Sequence, residues 1–219
     1  MNKYKSLMIV MFFILIFSFS KVNAIVKDYS LLGKTICLDA GHGGIDSGAI
    51  ADNIYEKNIN LDIVNTISKE LLASGAYVIL TRNGDYDLTR ATTMRKRNDL
   101  YKRAMIINSS KCNIYLSIHL NSTTESKWRG LQIFYNSKLL ENENLAKILT
   151  ESLKNDIKNV RDFKQDNSYY MYRHINIPGV LIEAGFLSNY SDKKLLMDKT
   201  YQEKLSNSIV KGIKKYLNN

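Results

Sequence analysis

Three features of this 219-residue chain predict an α/β fold. Strand-like apolar runs alternate with helical periodicities from Gly33 onward. The length suits one full-sized domain rather than two. The single proline, Pro178, stands where it enters an apolar run, at a strand start, where a missing N–H does least harm. Alternating strands and helices imply strands lying parallel with helices packed over them. The expected architecture is a single three-layer domain, a mostly parallel twisted sheet flanked by helices on both faces, over residues 33–219.

Each element follows from its pattern. Residues 35–38 read as a buried strand, and residues 56–72 as a helix with Ile59, Ile63, Val64, Ile67 and Leu71 on one face. The helix-ending pair Ser74-Gly75 leads into a strand at 76–81. A second helix is expected over 88–108, where Leu100, Ala104 and Ile107 share a face. Strands follow at 113–118 and 130–135. Leu145, Ile148, Leu149 and Leu153 mark another helix. A last strand runs over 180–182, and Leu205, Ile209, Ile213 and Leu217 close the chain as an amphipathic helix.

The N-terminus is of another kind. Lys3 and Lys5 precede an apolar run at 7–19 broken only by Ser18, and Val22-Asn23-Ala24 offers small residues for cleavage. This order describes an export signal over 1–24, and the run is short for a transmembrane helix. An uncleaved anchor is the alternative, and it supplies the only membrane contact expected. Residues 25–32 read as a short linker. Either way the domain is expected outside the cytoplasmic membrane. The formal charge of +10 draws an exported protein to polyanions such as wall carboxylates and phosphodiesters. The basic residues form no aromatic-interleaved stripe, so nucleic acid is not expected as a partner. Cys37 and Cys112 lie in or beside apolar runs without zinc-thiolate spacing, and two buried free thiols are expected.

The chemistry concentrates in four residues. His42 sits in Gly41-His42-Gly43-Gly44, where bare glycines permit tight turning and close approach to a ligand. No Walker lysine or dinucleotide spacing accompanies it. His119 follows a strand and precedes Asn121, which can orient the loop. Glu56 has two readings: the third helical residue after an Asn53 cap, or a metal ligand reaching back from the first turn. Both roles are compatible. Glu183 lies in the apolar run 180–184, and an ionised carboxylate there needs compensation. Zinc and its water supply one answer, and a buried pair with Arg82 or Arg103 another. His174 reads as a rim or structural residue. His42, His119 and Glu183 each fall at or past a strand end, the edge where such sheets bind ligands. Two histidines and a carboxylate form a zinc set with a fourth position for water, and a second carboxylate serves as base. That is the outline of a zinc hydrolase.

The segments 37–49, 56–64, 117–122 and 178–189 resemble the zinc-dependent N-acetylmuramoyl-L-alanine amidases of the amidase-3 type. Leu80-Thr81-Arg82, Arg103 with Asn108, and Arg129-Gly130 are lesser matches. The likeness spans roughly Gly33 to Leu217. It implies one zinc held by His42, Glu56 and His119, with Glu183 catalytic, acting on peptidoglycan between N-acetylmuramic acid and L-alanine. Leu120, the stretch 172–189 and the absence of wall-binding repeats resemble the short branch that processes spore cortex on the way to muramic-δ-lactam. The interval between His119 and Glu183 is short for an autoinhibitory helix, so control by a separate activator protein is an expectation. A zinc peptidase acting on the stem peptide and a non-catalytic wall-binding protein are the rival readings.

Overall fold

The computed structural model describes residues 28–218. The segment assigned to export therefore lies outside the described residues. In chain order the elements are β1 (Thr35–Ala40), β2 (Ile50–Ala51), β3 (Ile54–Tyr55), α1 (Glu56–Ala73), β4 (Tyr77–Leu80), α2 (Arg95–Ser109) and β5 (Ile114–Asn121). Then come β6 (Gln132–Tyr135), α3 (Leu140–Asp156), β7 (Lys164–Gln165), a 3₁₀ turn (Tyr170–Arg173), β8 (Gly179–Phe186), α4 (Tyr190–Met197) and α5 (Lys199–Leu217). The main sheet has the order β4-β1-β5-β8-β6-β7. Every pairing in it is parallel except β6 against β8.

The two-residue period of the strands sorts the sheet into unequal faces. Ile36, Leu38 and Ala40 of β1, Ile114, Leu116, Ile118 and Leu120 of β5, and Val180, Ile182 and Ala184 of β8 belong to one large core, with α1, α3 and α5 packed on it. The intervening residues Cys37, Tyr115 and Leu181 join a smaller core under α2 and the 3₁₀ turn, through Ala104, Ile107, Met171 and Tyr172. Asp39, Ser117, His119 and Glu183 share that alternation, so these four polar residues of the central strands lie on the thinner face.

Several elements differ from expectation. The second helix begins at Arg95 rather than residue 88. The Asp99 carboxylate accepts from Leu88 N at 2.6 Å and Thr89 Oγ1 from Ala91 N at 3.1 Å, side-chain bonds that compete with helix formation. Met94, ahead of the first turn, is left-handed at φ 49°. Asn53 does not cap α1. Asp52 and Asn53, at φ 50° and 60°, form the tight turn between the antiparallel β2 and β3, a conformation these residue types tolerate. Tyr55 stands at the cap position without a side-chain bond. The described end of the supposed linker is docked: Leu31 is fully buried, and Asp28 N and Leu31 N donate to Ala73 O and Ser74 O. Its apolar side chain closes the large core at the C-terminal end of α1. Cys37 and Cys112 are buried and free.

Candidate metal centre and its pocket

β1 ends two residues before His42, which itself adopts φ 62° between Gly41 and Gly43. β5 and β8 run further than the sequence pattern suggested. His119 and Glu183 therefore lie inside their strands, paired in register with each other, instead of at strand ends. Their backbone bonds are satisfied by the sheet, which gives both side chains a rigid base. Glu56 is the first residue of α1 rather than its third.

His42, Glu56 and His119 each offer a ligand atom within 4.8 Å of the others. Glu56 Oε1 lies 3.1 Å from His42 Nε2 and 3.1 Å from His119 Nδ1. The carboxylate is also held by Ala49 N at 2.8 Å, Leu120 N at 3.0 Å and Asn60 Nδ2 at 3.2 Å. Burial by itself raises this carboxyl, and the bonds and charges of His119 and His42 overcome it, leaving Glu56 well below the usual range. Burial opposes protonation of His42, but Asp46, whose Oδ2 lies 2.9 Å from Nδ1, together with Glu56 lifts it to about 9. On His119, Tyr169 Oη lies 3.2 Å from Nε2. The imidazole edges of His42 and His119 meet at a centroid separation of 5.0 Å. Two neutral-capable imidazoles around one ionised, buried carboxylate are the donor set that zinc takes in open hydrolytic sites.

The set opens into a cavity of about 390 Å³ that also holds Asp46, Lys96, Asn121, Tyr169 and Glu183. Leu100, Phe134, Tyr172 and Leu181 form its apolar part. Glu183 keeps an edge open to this space, while its Oε2 is sealed from solvent and has no hydrogen-bond partner among the described residues. Burial raises its carboxyl to about 7, with His119 opposing and Glu56 adding to the rise. The alternative of an arginine partner fails. Arg103 pairs with Asp39 and Asp99, and among the described residues Arg82 binds only backbone carbonyls. A sealed, unpartnered carboxylate oxygen beside the donor set fits a site built around a cation and a water.

Three of the four residues expected from the sequence, His42, His119 and Glu183, thus line one pocket, and the fourth, Glu56, is bonded to both of its imidazoles. His174 does not line it: its ring packs on Tyr101 and Tyr170 at 5.3 and 4.7 Å. Asn121 does line it, and its carbonyl accepts from Leu187 N. Tyr169 and Asp46 were missed. Asp46, four residues after His42 in a glycine loop, was readable as a carboxylate backing the imidazole. Tyr169, fifty residues from His119, carries no local signal.

Fold and donor set together define a hydrolase of the α/β type with a site able to hold a metal. The sequence matches the amidase-3 family, N-acetylmuramoyl-L-alanine amidase, over residues 36–215. It is 40% identical over 215 residues to the germination-specific N-acetylmuramoyl-L-alanine amidase of Bacillus subtilis, covering 95% of this chain and 90% of that protein. Among solved structures it is similar to the CwlD amidase of Clostridioides difficile in complex with the GerS lipoprotein, with 42% identity and a TM-score of 0.81 over 85% of this chain and 99% of that one. The catalytic domain of CwlV from Bacillus (Paenibacillus) polymyxa gives 28% identity and a TM-score of 0.75, covering 84% of this chain and 98% of that one. The chain belongs to the amidase-3 family, and its activity is that of an N-acetylmuramoyl-L-alanine amidase.

Proposed function

We propose that this amidase is zinc-dependent and works on spore-cortex peptidoglycan, baring muramic residues on the way to muramic-δ-lactam. The observation that carries the zinc reading is the convergence of His42, Glu56 and His119 donor atoms next to the unpartnered oxygen of Glu183. Zinc bound there supplies a polarised water and an electrophile for the lactyl carbonyl. Glu56 holds both imidazoles in register, and Asp46 sets the ring of His42 from its other side. Glu183 accepts the proton of the attacking water as the new C–O bond forms. It returns that proton to the L-alanine nitrogen as the C–N bond breaks, leaving a free carboxylate on the lactyl group and a free stem peptide. The apolar wall of Leu181, Phe134 and Tyr172 keeps Glu183 in the protonation range such a shuttle needs.

The cortex assignment is supported by the likeness to the germination-specific relative. The similarity to an amidase solved with a lipoprotein supports a separate activator protein as partner. Residues 1–24 serve as an export signal or uncleaved anchor that places the enzyme outside the cytoplasmic membrane. Mass spectrometry of purified muropeptides after incubation with zinc-loaded protein tests the reading. Muramic residues freed of peptide, with an intact stem peptide, are expected. Cleavage within the stem peptide indicates a zinc peptidase instead, and glycan binding without turnover a wall-binding protein.

A further inference from the structure

Arg82 and Arg103 are almost wholly buried beside the pocket, and the chemistry above uses neither. Arg103 is charge-matched by Asp39 and Asp99. Arg82 is not. Among the described residues it makes no ion pair, and its guanidinium donates to four carbonyls: Nε to Ala40 O at 2.8 Å, Nη2 to Gly41 O at 2.9 Å and to Lys57 O at 2.8 Å, and Nη1 to Gly84 O at 2.9 Å. The carboxylates of Asp39, Asp85 and Asp99 favour its charge only from beyond ion-pair range, and burying a cation whose direct partners are all neutral carbonyls is unfavourable unless its geometry is needed. Those acceptors come from three segments: the end of β1 and its loop, the first turn of α1, and the loop after β4.

The Gly41 peptide is where the three donor residues meet. His42 is the next residue. A Cβ on Gly41 would stand 2.3 to 2.6 Å from ring atoms of His119, so that imidazole rests directly on the bare glycine. Asn60 Nδ2 joins Gly41 O to Glu56 Oε1, at 3.2 Å from each. Lys57, the other carbonyl on Arg82 Nη2, follows Glu56 in sequence. We propose that Arg82 is a positioning residue for the metal set: it ties the Gly41 peptide to the first turn of α1 and so fixes the separation of the His42, His119 and Glu56 donor atoms. The inference rests on reading those three residues as zinc ligands. A lysine cannot substitute, because three donors on one nitrogen do not span carbonyls that a planar fork reaches in two directions.

The test is zinc affinity of the full-length chain, measured by competition with a chromophoric chelator, for wild type, Arg82→Lys and Leu153→Ala. The last is a core truncation on the opposite sheet face that lowers the melting temperature without touching the site. Arg82→Lys should bind zinc between about ten- and a hundred-fold more weakly, the usual range for a group that orients ligands. Leu153→Ala should bind it as wild type does. If Arg82→Lys does not fold, Arg82→Gln, which removes the buried charge, is read the same way. Zinc binding as tight as wild type in the folded variant overturns the inference alone. Equal weakening in Leu153→Ala also overturns it, since the effect would be general destabilisation. Failure of wild type to bind zinc overturns the ligand reading first and this inference with it.

Discussion

Glu56 and Glu183 both adjoin His119, one bonded to its ring and the other paired with it across the sheet, and the fold treats them in opposite ways. Glu56, at the helix start, is nearly buried and accepts from two backbone N–H groups, an asparagine and two imidazoles. Glu183, in the middle of a strand, has an oxygen that accepts no hydrogen bond among the described residues. Burial pushes both carboxyls upward, and only Glu56 has partners enough to reverse it. The difference teaches that burial does not set a carboxylate's role. Donors around it make a permanently ionised anchor, and their absence makes a group that can take up and release a proton near neutrality.

Substituting the two residues separates these roles. The largest loss is expected for Glu56→Gln, His42→Ala and His119→Ala, in which stoichiometric zinc and amide cleavage should both disappear. Metal analysis showing full occupancy in any of them breaks the assignment of that residue. Glu183→Gln should keep its zinc and its melting temperature while cleavage falls by roughly two to four powers of ten, the span of general acid–base catalysis. Zinc lost along with activity would make Glu183 a ligand, and retained activity would place the base elsewhere.

A subtler contrast lies in pH. The folded-state carboxyl of Glu183 sits near 7, above its ordinary 4.5, so folded protein binds the extra proton between those values and stability declines as pH rises through them. Glu56 is depressed, so its contribution is present above its ordinary value and is lost as pH falls further. In metal-free protein, the stability advantage of Glu183→Gln over wild type should therefore grow from pH 4.5 to 7 and then level off. Melting curves across that range check it, and a pH-independent difference would mean that Glu183 is not held in its neutral form. The smallest effect is reserved for an exposed carboxylate. Asp62 pairs with Lys199 on the surface, and Asp62→Asn should change stability by less than about 1 kcal/mol in urea unfolding and leave zinc and turnover alone.

Much of the site was legible because its signals are local. Glycines flanking His42, a histidine in an apolar strand and a carboxylate between Ile182 and Ala184 each violate what packing alone requires. Strand parity then carried His119 and Glu183 to one face together. Glu56 was ambiguous because a first-turn carboxylate satisfies helix donors in most proteins. Its carboxylate is held by Ala49 N and Leu120 N, which no sequence window contains together. The start of α2 was misplaced for a related reason, since Asp99 captures Leu88 N eleven residues back.

What the chain determines by itself is periodicity: which residues turn inward, which positions need glycine, and which charged groups have no business in an apolar run. These depend on neighbours a few residues away, where backbone geometry is set. Tertiary structure alone decided that Arg82 reaches Gly41 and Lys57, that Tyr169 approaches His119, and that Glu183 finds no arginine. Each of those outcomes turns on how segments far apart in sequence are brought within hydrogen-bond range, a distance that only the packed sheet sets.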